Sequence, residues 1–448
     1  MGNLSVIYSI EILEVDLSQF SQAIAELTLK VREAKAHDIK ITQTLAVDPE
    51  LECVDWLEAQ PHFPKFYWQS RDTREEVVAL GKVHTFSDPA PAYTILAKGQ
   101  RIWGGKAFQR AQDTGDLSFF FLAQIELVRF DQSWSISVNL ADNKEEIIAA
   151  LSSLCLDAPT LTPISVHTEN IQHTPEKVTW DRQVKDVLTK IEQKEFKKVV
   201  LARESQVKLS DTISAAQLLK ASIENNRHSF HFLFALDAQQ CFIGSTPERL
   251  YRRNGQELET EALAGTTGRG DSAQKDLELA NWLAQDNKNL TENQYVVDDI
   301  VERLTPHSDS IQAQQDARLI RLSKVQHLKR EIYSHLKQGV NGVQLLAALQ
   351  PTAAVAGLPR KQAMQYILQN QPFSRGWYSG SIGYISHQKA EFCVAIRSAL
   401  VCGDKVTLYA GAGIVKGSLA EYEWQELDKK MSTLLSLIPE KSSFGVAS

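Results

Sequence analysis

The chain has 448 residues, 43% of them hydrophobic and 23% charged, with a formal net charge of −7; this ordinary globular composition excludes the fibrous and disordered classes. The basic residues are scattered, which excludes a nucleic-acid surface of clustered Lys and Arg and leaves a small molecule as the expected ligand. Cys53, Cys155, Cys241, Cys393 and Cys402 are widely spaced and contain no C-x-x-C pair, so neither a disulfide framework nor a zinc site is expected.

Residues 1–20 lack the basic start and apolar run of a secretory leader, and Val6 stands where a myristoylation signal beginning Met1-Gly2 has Ser or Thr. With no long apolar run anywhere, a cytoplasmic chain without membrane spans is expected. Short apolar runs and loops alternate up to a Pro/Thr/Ser-rich passage at 158–174, which reads as a connection. It separates a variable part, 1–165, from a second part, 166–442, the two being expected to interleave as one unit.

Val184, Val187, Leu188 and Ile191 have helical spacing and predict a helix over 178–195, followed by an alternating strand at 197–203. In that strand Lys198 shares a side with Val200 and Ala202. A lysine among apolar neighbours can lose its proton near neutral pH and act as a base, whereas most strand lysines end at water. Strands are expected at 230–236 and 241–244, the second running into the turn-forming Gly244-Ser-Thr-Pro247 that displays Glu248. Gly265 and Thr266, in Gly265-Thr-Thr-Gly268, either offer backbone N–H groups to an anion or form an ordinary turn.

A helix over 289–304 buries Val296, Ile300 and Leu304, and Glu292 falls on the same stripe, either solvated at the helix end or held inside by a cation. His327 follows a predicted strand at 319–325 and is a ligand donor or a structural histidine. On a strand predicted at 392–400, Arg397 alternates with the small Cys393, Ala395 and Ala399, leaving room for a guanidinium to grip a carboxylate or to pair across the sheet. After a strand at 406–410 and Gly411-Ala-Gly413, Ser418 and Glu421 have capping-box spacing and open a helix over 421–435. Its Glu423, Glu426 and Lys430 share a face, which fits a surface ion pair between Glu426 and Lys430 as well as an ion site.

In this order, Lys198-Val-Val-Leu-Ala-Arg203, Gly244-Ser-Thr-Pro-Glu-Arg249, Glu261-Ala-Leu-Ala-Gly-Thr266, Asp286-Asn-Lys-Asn-Leu-Thr-Glu-Asn293, Ser323-Lys-Val-Gln-His-Leu328 and the Gln350-to-Arg360 block resemble the chorismate-utilising enzymes. So do Arg375-Gly-Trp-Tyr-Ser-Gly380, Cys393-Val-Ala-Ile-Arg397, and Gly411-Ala-Gly-Ile-Val with the run from Glu423 to Lys430. The resemblance spans residues 175–440 and implies an α/β (α+β) fold, two sheets with flanking helices enclosing a central site.

Within the family, aminodeoxychorismate synthases of the lysine-nucleophile type carry Lys where this chain has Ala264. Anthranilate-type enzymes lack a lysine at the position of Lys198 and differ at Asn289 and Gln350, and no tryptophan-binding serine motif is present. The blocks are most similar to isochorismate synthases of the menaquinone type; siderophore-pathway isochorismate synthases, salicylate synthases and a catalytically silent chorismate-binding protein are the alternatives. The resemblance implies that Glu292 and Glu426 bind Mg2+, with Glu423 supporting through water. It implies that Lys198 is the base that activates water and a protonated Glu248 the acid. Arg397, Lys430, Gly411 and Gly413 would hold the substrate, with His327, Gly265 and Thr266 nearby.

Overall fold

In the computed structural model, which describes residues 19–35, 37–46, 51–109, 117–140 and 143–440, strand alternation sorts the apolar side chains into three cores. In β1 (Lys65–Gln69) Phe66 and Trp68 enter one core while Tyr67 enters another, the two-residue period of a pleated strand buried on both faces. The strands that build the site follow as β2 (Glu75–Leu80), β3 (Lys198–Leu209), β4 (Phe230–Ala235), β5 (Cys241–Thr246), β6 (Arg249–Asn254) and β7 (Glu257–Gly268). Then come β8 (Val325–Leu336), β9 (Lys389–Val394), β10 (Ser398–Cys402) and β11 (Lys405–Val415), with helices α1 (Asn287–Leu304) and α2 (Ala420–Leu435).

Among the described residues the strands form a twelve-stranded and a ten-stranded sheet. The larger contains, side by side, β2, β1, β4, β5, β10, β11 and β3; the smaller contains β8, β7, β6 and β9. An aromatic core of Phe66, Trp68, Trp103, Phe121, Phe232, Phe242 and Tyr384 lies between the sheets. Helices cover the outer faces: Leu427, Met431 and Leu434 of α2 pack with Val199, Leu201 and Ile414, and Val296, Ile300 and Leu304 of α1 with Ala262 and Ile332. This is the two-sheet α/β arrangement expected from the sequence. Strands from before residue 165 enter both sheets, β1 pairing with β4 and Ile102–Lys106 with Ser381–Ile385.

Four local expectations change. The strand expected at 319–325 is two, Arg318–Arg321 and β8, and His327 lies inside β8 rather than beyond a strand end. The strand expected at 392–400 breaks into β9 and β10, which belong to different sheets, with Arg397 between them at φ 50°. Gly265-Thr-Thr-Gly268 is the end of β7, irregular between Leu263 and Thr266, with Gly265 at φ +83°. No capping box starts α2: its cap is Leu419, and the Ser418 hydroxyl instead accepts the Val415 N–H at 3.2 Å. Among the described residues no helix is long and apolar enough to cross a membrane. The five cysteines are free thiols, and the leader and acylation expectations at residues 1–18 lie outside the described residues.

Candidate active site

Two chain crossings create the site. β5 lies in the larger sheet and β6 in the smaller, and only Pro247 and Glu248 join them; β9 and β10 make the reverse passage through Ala395, Ile396 and Arg397. β5 pairs with β10 at Gly244 and Ser398, and β6 with β9 at Arg249 and Cys393, so the crossings run side by side. The Ser245 N–H donates to the Arg397 carbonyl and the Val394 N–H to the Glu248 carbonyl, both at 3.0 Å. A regular ladder would alternate these two side chains into its faces. The crossings instead deliver both into one cavity, which Gly265, Thr266, Glu292, His327, Gly411, Gly413 and Lys430 also line. Ala264 lines it as well.

Lys198 opens β3 on the side shared with Val200, and is fully buried. Its Nζ lies 3.0 Å from Glu292 Oε1, an ion pair rather than an aligned hydrogen bond. Gly413 makes this meeting possible: it stands opposite Val200 in β11, and a Cβ there would come within 2.4 Å of Glu292 Oε1 and 2.7 Å of Lys198 Cε. Burial pushes the Glu292 carboxyl up, but Lys198, with help from Lys288 and Lys430, outweighs this and holds it below the usual value.

Each acid of the cluster has a lysine. Glu423 pairs with Lys288 at 2.6 Å and Glu426 with Lys430 at 2.5 Å. Burial and then the adjacent Glu426 raise the Glu423 carboxyl, while burial of Lys288 is outweighed by the pull of Glu423, Glu292 and Glu426. Glu292, Glu423 and Glu426, supplied by two helices, thus lie near enough to one another to act together on Lys288, although each is paired with a different lysine. Their hard oxygens suit Mg2+, which keeps several waters. Among the described residues no three His, Cys, Asp or Glu side chains form a group that could hold an ion unaided.

Glu248 carries no such countercharge. Burial first, and then Glu261, push its carboxyl up to about 8 against the pull of Lys198, Lys430 and Arg397. Arg397 is buried, its guanidinium drawn down to about 10 by desolvation. Its Nη2 donates to His327 Nε2 at 3.0 Å, so the histidine proton sits on Nδ1 and is directed to Thr266 Oγ1, also 3.0 Å away. Burial, then Arg397 and Lys430, keep His327 well below its ordinary value and neutral. The Thr266 N–H donates to Asn289 Oδ1 at 3.2 Å, and the Asn289 amide donates to Asp286, the cap of α1, at 2.7 Å. Lys430 Nζ donates to the Gly411 carbonyl at 2.8 Å, so Gly411, and Gly413 two residues on, turn their backbone groups away from β3 toward the cavity.

All the residues expected from the sequence thus lie in or beside one cavity, including the Glu426–Lys430 ion pair. Lys288 was missed although it stands inside the Asp286-to-Asn293 block. So was Asn293, whose buried amide reaches the carbonyls of Ala262, Ala264 and Leu328 at 3.1 Å each and locks α1 to β7 and β8. Gln350 is a scaffold residue: its amide reaches the carbonyls of Lys106 and Ala107.

The model of the chorismate binding enzyme family matches residues 90–439. Isochorismate synthase MenF of Escherichia coli (strain K12) is 39% identical over 401 residues, covering 86% of this chain and 90% of that protein. Isochorismate synthase MenF of Pasteurella multocida (strain Pm70) is 35% identical over 429 residues, 94% of this chain and 97% of that one. The solved structure of MenF, the menaquinone-specific isochorismate synthase from Escherichia coli, matches with a TM-score of 0.86 and 35% identity, over 94% of this chain and all of that one.

Proposed function

The chain belongs to the chorismate-binding enzymes, and from that premise we propose that it is an isochorismate synthase of the menaquinone type, an isomerase that converts chorismate to isochorismate. In the reaction a water oxygen bonds to C2 of the ring, the double bonds shift, and the C4–O bond breaks. Lys198, which must enter this step as the free amine rather than as the ion-paired ammonium, takes the proton released by the water, and Glu248 gives its own to the departing C4 hydroxyl, which leaves as water. The observation that carries this reading is the presence of unlike groups at one cavity: an acid in its lining that keeps its proton up to about 8, and beside it a buried amine that reaches the cavity-lining Glu292. General acid and base catalysis needs just such opposite demands.

Arg397, Lys430 and the backbone of Gly411 and Gly413 are suited to the carboxylate of the enolpyruvyl arm, and a neutral His327 orients Arg397. Glu292 and Glu426, with Glu423 supporting through water, would hold Mg2+, whose charge would offset the repulsion between these acids and the ring carboxylate. The free cysteines support a reducing, cytoplasmic setting.

Incubating the purified protein with chorismate and Mg2+ and separating the products by chromatography tests the whole reading. Isochorismate alone is expected, with turnover lost on chelation and restored by Mg2+. Pyruvate and salicylate, or an aminated product in the presence of ammonium, would overturn it.

A further inference from the structure

From the first third of the chain, Arg71 reaches the segment that carries Glu248. β1 and β2 form a hairpin of the larger sheet, and Arg71 stands in its turn. From there the guanidinium crosses to the smaller sheet: Nη1 and Nη2 lie 2.5 and 2.9 Å from the two carboxylate oxygens of Glu261 in β7. The same Nη1 donates to the Pro247 carbonyl at 2.7 Å, and Glu261 Oε1 accepts the Arg249 N–H at 2.9 Å. Pro247 and Arg249 are the two neighbours of Glu248. One ion pair therefore grips the crossing segment on both sides of the acid. The pair is mostly shielded from water, with the side chains of Arg71 and Glu261 17% and 3% exposed, the setting in which a two-point guanidinium fork is strong and directional.

We propose that Arg71 is a positioning residue for Glu248: its fork on Glu261 and its hydrogen bond to Pro247 aim the carboxyl into the cavity. This rests on the reading of Glu248 as the acid. An inter-sheet staple of no catalytic consequence would use the same contacts, so the test must separate the two.

A double-mutant cycle does so. Steady-state kinetics of Arg71→Lys, Glu248→Gln and the double variant are compared, with Glu261→Gln as a second way to open the clamp from its other end. Arg71→Lys keeps the charge and loses the fork, and is expected to lower kcat by roughly tenfold to a hundredfold with KM within about twofold, the scale of a misplaced reacting group. In the Glu248→Gln background the same change should alter kcat by less than about twofold, because the group being aimed is gone. Equal losses in both backgrounds, a loss confined to KM, or wild-type kinetics for Arg71→Lys and Glu261→Gln would overturn the proposal. Wild-type turnover in Glu248→Gln itself would instead overturn the acid assignment beneath it.

Discussion

At Glu248, folding holds a proton that the unfolded chain releases near 4.5, because burial and Glu261 keep the carboxyl up to about 8. The acid is therefore competent below about 8, and kcat should fall as pH rises through that value. The same shift has a stability sign: the contribution of this group is complete below the unfolded value and is lost as pH climbs toward the folded one. Glu248→Gln should remove both effects, gaining melting temperature on the wild type between pH 5 and 8 while lowering turnover by roughly two or more orders of magnitude, as should Lys198→Ala. Normal turnover in either folded variant would defeat the roles given to them. Asn289, where the resemblance implies an acid in anthranilate-type enzymes, has a local role here: its amide both accepts from Thr266 and donates to Asp286, and an acid there would face Asp286 as a like charge.

Among the elements, the face of β3 was readable because alternation survives in it: Lys198, Val200 and Ala202 do share a side, and the structure sets Gly413 and Gly411 of β11 opposite Val200 and Ala202. Those glycines are the complement of the lysine. Gly413→Ala should reduce kcat/KM by roughly tenfold or more, since a methyl 2.4 Å from Glu292 must push apart groups whose alignment matters; unchanged kinetics would mean that the Lys198–Glu292 contact is dispensable. The segment around Arg397 misled for the opposite reason. Its apolar alternation continues across a passage between sheets, and nothing local marks the residue at which the hydrogen-bonding partner changes. The acidic face of α2 was likewise ambiguous, because a solvated face and a face closed over by Lys288 have the same spacing.

For the molecule as a whole, the sheets draw strands from both sides of residue 165, so neither part has a complete core. A fragment of residues 166–442 would leave β4 without β1 and strip Phe66, Trp68, Trp103 and Phe121 from the core between the sheets. We expect it to show no cooperative thermal transition by near-ultraviolet circular dichroism; a sharp one would establish an independent catalytic domain. From its own residues the chain determined the strand and helix faces, the ordered blocks that name its family, and the types of group the chemistry requires, since these follow from periodicity and side-chain identity. Only the tertiary structure decided that Glu248 and Arg397 emerge at adjacent crossings, that Glu292, Glu423 and Glu426 are each matched by a lysine, Lys198, Lys288 and Lys430, and that Arg71 supports the acid, because each of these depends on which distant elements become neighbours.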